Sequence, residues 1–113
     1  MEYNIITYTD NEEEIQYIII SNSNSSIQIN INLKLKNIVF IHSLIVNKQY
    51  QNKGLGKDIL NYVINYCKNN LYCDTITCYC LINSWMIEWY KRLGFRPVDI
   101  IRNNQYVFMV LFI

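Results

Sequence analysis

The sequence predicts an α/β (α+β) fold: one compact domain, residues 1–113, in which a mixed, mostly antiparallel sheet carries two main helices. Three stretches predict it. Ile27, Ile29, Ile31, Leu33 and Leu35 alternate with Gln28, Asn30, Asn32, Lys34 and Lys36, the period of two expected of a strand with one wet face. The apolar run 38–46 leads through a loop containing Gly54 and Gly56 into an amphipathic helix, making a strand–loop–helix unit. Trp85, Trp89 and Leu93 recur at helical spacing between Asn83, a suitable N-cap, and Gly94, a C′ residue that stops the helix.

Taken in order, residues 3–8 read as the first strand, ended by the acidic turn Asp10-Asn11-Glu12-Glu13-Glu14, and residues 15–21 as the second. About six residues separate them, too few for an ordinary helix, so the sheet begins as a meander. The polar stretch 21–26 is a short, flexible hairpin loop. The alternating strand follows and breaks at Asn37, before the more apolar strand 38–46. Then come a helix over 54–69, a strand over 73–81, a helix over 84–93 and two terminal strands near 96–102 and 105–112. The apolar last strand, Val107 to Ile113, is either covered within the sheet or the edge of a homodimer. No repeat or linker divides the chain.

The loop Gln51-Asn52-Lys53-Gly54-Leu55-Gly56 carries the most chemistry. A glycine-containing loop that opens a helix turns unpaired N–H groups toward one point, where the positive end of the helix dipole also lies. That arrangement suits a phosphate or pyrophosphate. A nucleoside-triphosphate loop needs Ser or Thr after Gly-Lys, but Asp58 follows Gly56-Lys57, and Asn52 occupies the position of its first glycine. A dinucleotide fingerprint needs a third glycine where Ile59 stands.

Gln51, Gly54 and Gly56, with Val46 five residues ahead of Gln51, fit a third pattern. They resemble the Gln/Arg-x-x-Gly-x-Gly/Ala loop of the GNAT superfamily of N-acetyltransferases. The later segment Asn83…Tyr90…Gly94-Phe95 resembles that family's second motif, an Asn at the head of a helix, a Tyr seven residues on, then Gly-Phe. The resemblance covers roughly residues 36–110. GNAT domains usually place two helices between the first and second strands, where they form part of the acceptor wall. This chain lacks them, which implies an open acceptor side.

The resemblance implies transfer of acetyl from acetyl-CoA, as cosubstrate, to a primary amine by direct attack, with no metal. Leu44, Ile45 and Val46 would contact the pantetheine arm, with a backbone N–H near Leu44 meeting the oxyanion. Asn52, Lys53, Gly54, Leu55, Gly56 and Lys57, following Gln51, would hold the pyrophosphate; a lysine in a first helical turn is equally ordinary at Lys57. Asn83 would meet pantetheine, cap its helix, or do both. His42 stands nine residues before Gln51, where arylalkylamine N-acetyltransferases carry a histidine implicated as a base. An imidazole titrates near pH ~6.5 and can accept a proton at neutral pH. Strand parity places His42 on the face of Phe40 and Leu44; its other reading is a core histidine bonded to backbone. Tyr90 is the counterpart of the tyrosine that protonates the leaving sulfur, and a phenol pKa near ~10 suits that task. Trp85 and Trp89 read as core or interface. A non-catalytic acyl-CoA-binding or interaction module on the same fold is the alternative function, and the acceptor, small molecule or protein, stays open.

Composition excludes other classes. Net charge is +1 and advertises no polyanion-binding face, so nucleic acid is not an expected partner. No apolar run reaches the ~20 residues of a membrane span, and Met1-Glu2-Tyr3-Asn4 lacks a basic signal start. The expected location is cytoplasmic. Cys67, Cys73, Cys78 and Cys80 lack the spacing of a zinc site and read as reduced, buried thiols.

Overall fold

The computed structural model describes residues 2–113; Met1, part of the N-terminal segment read above, lies outside them. Strands β1 (Asn4–Asp10), β2 (Ile15–Ser21), β3 (Ser25–Asn32) and β4 (Ile38–Val46) are followed by helix α1 (Leu55–Asn70), β5 (Thr75–Leu81), helix α2 (Trp85–Arg92), β6 (Arg96–Ile101) and β7 (Tyr106–Phe112). They form one seven-stranded sheet in the order β1-β2-β3-β4-β5-β7-β6. Every neighbouring pair is antiparallel except β4 and β5. The mixed, mostly antiparallel sheet with two helices is the expected one, and β1 turns directly into β2 without a helix.

One strand reading needs correction, and one alternative left open is settled. The alternation over 27–36 stops being a strand at Asn32: its side chain accepts the Lys34 N–H at 2.9 Å and its carbonyl accepts Leu35 N at 2.9 Å. That turn leaves Leu35 55% exposed, so a periodic pattern continued past the end of the hydrogen-bonded ladder. The last strand, β7, lies inside the sheet between β5 and β6, which makes it a covered strand and not an edge. The hairpin before β3 is pinned, with Asn22 Oδ1 accepting the Asn24 and Ser25 N–H groups at 2.9 Å.

Both helices pack on one face. The crossovers β4–α1–β5 and β5–α2–β6 advance in the same direction across the sheet, and right-handed connections then put both helices on the same side. Burial agrees. Ile18, Ile29 and Ile41 share a side by register, as do Ile76 and Leu111, and Cys78 and Met109, all covered to some degree by the helices. Helix α1 contributes Ile59, Leu60, Val63 and Cys67, and α2 contributes Tyr90. On the opposite face, Tyr17, Gln28, Asn30, Phe40 and Tyr79 are only half-buried. The molecule measures 35 × 35 × 24 Å, the thickness of one sheet plus one helix layer. All four cysteines are free and buried.

Helix α2 ends as its glycine predicts. Gly94 N donates to Lys91 O at 3.0 Å and Phe95 N to Tyr90 O at 3.1 Å, and the Tyr90 and Phe95 rings lie 5.0 Å apart. These are the paired bonds and the apolar contact of a Schellman cap. At the other end the cap is Ser84, whose Oγ accepts the Met86 N–H at 3.1 Å. Asn83 sits one residue outside the helix with φ 64°, so the expected Asn83 cap is displaced by one position.

A candidate donor cleft where two parallel strands part

Strands β4 and β5 pair over only three positions, Ile38↔Thr75, Val39↔Ile76 and Phe40↔Thr77. The Thr77 hydroxyl donates to Val39 O at 3.2 Å at this crotch, and beyond it the strands diverge. The sequence of β4 supplies the cause. Its register against β3 runs Ile29↔Ile41 and then Gln28↔Ser43, so His42 is an extra residue, a β-bulge. A bulge bends its strand and tightens the local twist, which carries the second half of β4 away from β5.

The bulge also overturns the simple parity argument. Leu44 pairs with Ile27 and falls on the helix side with Val39 and Ile41, whereas Phe40 pairs with Asn30 on the other side. His42 therefore does not share a face with both Phe40 and Leu44. It is exposed, which removes the core-histidine reading.

On the helix side, between the diverging half of β4 and α2, lies a cleft of about 410 Å³. Leu44 and Val46 form one wall; Tyr50, Gln51, Asn52, Gly54, Leu55, Gly56 and Lys57 form its end; Trp85, Met86, Trp89 and Arg92 of α2 form the other wall. Gln51 Nε2 donates to Val46 O at 3.1 Å, folding the loop back onto the end of β4. Asn52 and Gly54 take φ values of 64° and 80°, turning the chain into α1. Gly54 is the N-cap and offers no side-chain acceptor; the first N–H to bond back is that of Asp58, to Gly54 O at 3.0 Å. The N–H groups of Leu55, Gly56 and Lys57, which precede it, lack an intrahelical acceptor at the cleft end.

The two glycines serve different needs. A Cβ on Gly54 would meet nothing within 4 Å, so its positive φ is what calls for glycine. A Cβ on Gly56 would stand 3.3 Å from Trp89 Cζ2 and 3.7 Å from Val46 Cγ2, so this glycine lets α1, α2 and β4 approach one another.

Of the residues singled out in the sequence, Leu44, Val46, Gln51, Asn52, Gly54, Leu55, Gly56 and Lys57 converge on the cleft. Ile45 pairs with Ser26 on the opposite side and is 59% exposed, Lys53 lies over the Tyr50 ring at 5.9 Å, and Asn83 is exposed in its turn; none of the three lines the cleft, and neither do His42 and Tyr90. Tyr90 is 3% exposed, packed among Trp89, Phe95, Cys78 and Cys80 on the helix side of β5. Its hydroxyl has no hydrogen-bond partner among the described residues, yet no fully buried side-chain oxygen is left unpaired, so its remaining exposure includes the hydroxyl. Burial, and then the neighbouring Cys78 and Cys80, push the phenol above its ordinary range. Tyr50 and Met86 are lining residues that the sequence reading missed, and so are Trp85, Trp89 and Arg92. The last three stand at i, i+4 and i+7, one stripe of α2, and Trp85 is 72% exposed at the rim. Lys57 and Arg92 give the lining two cations, and no carboxylate among the described residues joins it.

These features match known proteins. The family model described as an acetyltransferase (GNAT) domain matches residues 2–97. No curated protein sequence matches the chain. Among solved structures, a GNAT family acetyltransferase from Elizabethkingia anophelis with acetyl-CoA bound is 14% identical, with a TM-score of 0.71 over 98% of either chain. The ribosomal-protein-S18-alanine N-acetyltransferase from Escherichia coli is 19% identical, with a TM-score of 0.69 over 88% of this chain and 70% of that one. Spermidine N-acetyltransferase from Vibrio cholerae, in complex with CoA and spermine, is 13% identical, with a TM-score of 0.71 over 90% and 68%. With the parted strands, the anion loop and a family match over most of its length, the chain belongs to the GNAT acetyltransferase family.

Proposed function

We propose that the protein transfers the acetyl group of acetyl-CoA to a primary amine. The observation that carries this reading is the uncapped start of α1, with its N–H groups and Lys57 at one end of an apolar cleft that follows the diverging half of β4 and Arg92 in the facing wall. A diphosphate suits that end because backbone donors, a side-chain cation and the helix dipole act together. An aliphatic amide arm suits the wall formed by Leu44, Val46 and Met86, and the exposed indole of Trp85 offers a face for a flat base.

The residues then divide the chemistry. The acceptor reaches the β4–β5 opening, and His42 takes the proton that its ammonium must lose, directly or through water. The amine nitrogen attacks the thioester carbonyl, forming the C–N bond. Backbone N–H near Leu44 receives the developing oxyanion. The C–S bond breaks, Tyr90 gives its proton to the departing sulfur, and the second proton, shed by the nitrogen as the amide forms, returns to the phenolate directly or through water. The phenol's raised pKa keeps it protonated for that role.

The test pairs two readouts. CoA should raise the melting temperature, and acetyl-CoA should be consumed only when an amine acceptor is present. Stabilisation by CoA with no transfer across a broad amine panel would make the protein a binding module; no stabilisation at all would reject the donor site.

A further inference from the structure

The face opposite the helices carries an aromatic floor at the same opening. Phe40 on β4 makes the last pair before the strands part, and its ring lies 4.9 Å from that of Tyr79, two residues beyond the crotch on β5. Tyr79 in turn meets Phe108 edge-on at 5.2 Å. Above this floor, the guanidinium of Arg102, from the β6–β7 hairpin, lies 4.8 Å from the Tyr79 ring centre and 5.6 Å from that of Tyr106. Arg102 has no carboxylate partner and no side-chain hydrogen bond among the described residues. Stacking holds the planar group while leaving its N–H edge available for a bidentate anion.

Negative charge is distributed away from this place. The acidic turn 10–14 and Asp74 lie at the opposite end of the sheet, where β4 and β5 begin, and Glu2 precedes β1, three strands from β4. Asp58 and Glu88 belong to the helices. Asp99 shares the Phe108 side, but on the edge strand, with its Oδ1 accepting the Ile100 N–H at 2.8 Å. A polycationic acceptor would meet Arg102 and find no carboxylate beside the opening.

We propose that Arg102 is a specificity-determining residue that selects, from the helix-free face, a primary amine bearing a carboxylate beside an apolar body, in the chemical class of an aromatic amino acid, and disfavours polyamines. This rests on the transferase reading: the donor occupies the cleft on one side of the sheet and the acceptor arrives from the other, over Phe40 and Tyr79.

Release of CoA thiol from acetyl-CoA, measured with L-phenylalanine, phenethylamine and spermidine, tests it. Phenylalanine should give a kcat/KM at least about tenfold above either of the others, the scale of one charge-assisted bidentate contact. Arg102→Gln should raise the KM for phenylalanine by a similar factor with a smaller change in kcat, and Arg102→Lys should recover part of it. If phenethylamine or spermidine matches or exceeds phenylalanine, or Arg102→Gln leaves that KM unchanged, the selection by Arg102 is wrong while the transferase reading stands. Transfer to none of the three, with CoA still bound, overturns the selection by Arg102, and the transferase reading falls with it only if a broad amine panel also shows no transfer.

Discussion

His42 and Tyr90 sit in unlike surroundings outside the cleft lining: His42 is the bulged, exposed residue of β4, and Tyr90 lies in the helix layer beside Cys78 and Cys80. Their environments suit a proton acceptor with access to water and a donor kept from losing its proton. His42→Ala should lower kcat by roughly 10²-fold, the usual contribution of a positioned base. Tyr90→Phe should lower it by about tenfold, the loss of one hydrogen bond to a charged sulfur. The sign for pH follows from burial: a phenol with a raised pKa stays protonated past pH ~10, so Tyr90 should set no alkaline limb in the kcat profile below that value. Steady-state kinetics on both variants across pH 6–10 read this out, and parental rates in both would refute the roles. The end of the helix that carries Tyr90 was legible in the sequence through Gly94-Phe95. The side of the sheet that His42 faces was not, because one extra residue in a strand breaks the period of two and leaves no trace in composition.

Among the elements, the proposed anion site rests on the turn from β4 into α1. Gln51 ties that turn to Val46, and Gly54 sets the entry angle with φ 80°. Gly54→Val meets no steric obstacle, so its penalty should come from the backbone: about 1–2 kcal/mol of stability for a β-branched residue held at positive φ. Urea unfolding should show that loss and a CoA titration should show weakened binding, because relief of the strain moves the N–H groups of 55–57. Unchanged CoA affinity in Gly54→Val would contradict the loop's role. This turn was readable from the sequence because each glycine has a local consequence. The second wall of the cleft was harder. Trp85 and Trp89 were grouped with Leu93 as an apolar stripe, whereas the structure pairs them with Arg92 on the cleft side and gives the core Tyr90. In an eight-residue helix the two stripes are offset by a single residue, and only the packing of α2 against Gly56 tells them apart.

Over the whole molecule, a single layer of helices leaves the sheet with two unlike faces, one carrying the candidate donor cleft and the other open. The direct turn from β1 to β2 made the missing layer visible in the sequence, since too few residues separate the strands for a helix. Among the described residues no helix is long and apolar enough to cross a membrane. The chain contains two tryptophans, and both line the donor cleft, so intrinsic fluorescence reports its occupancy. The measurement that most directly tests the account is a fluorescence titration comparing CoA with pantetheine, which lacks the diphosphate. If the start of α1 grips that diphosphate, CoA should alter the emission and bind at least about a hundredfold more tightly than pantetheine, close to 3 kcal/mol. Equal affinities, or no response to CoA, would contradict it.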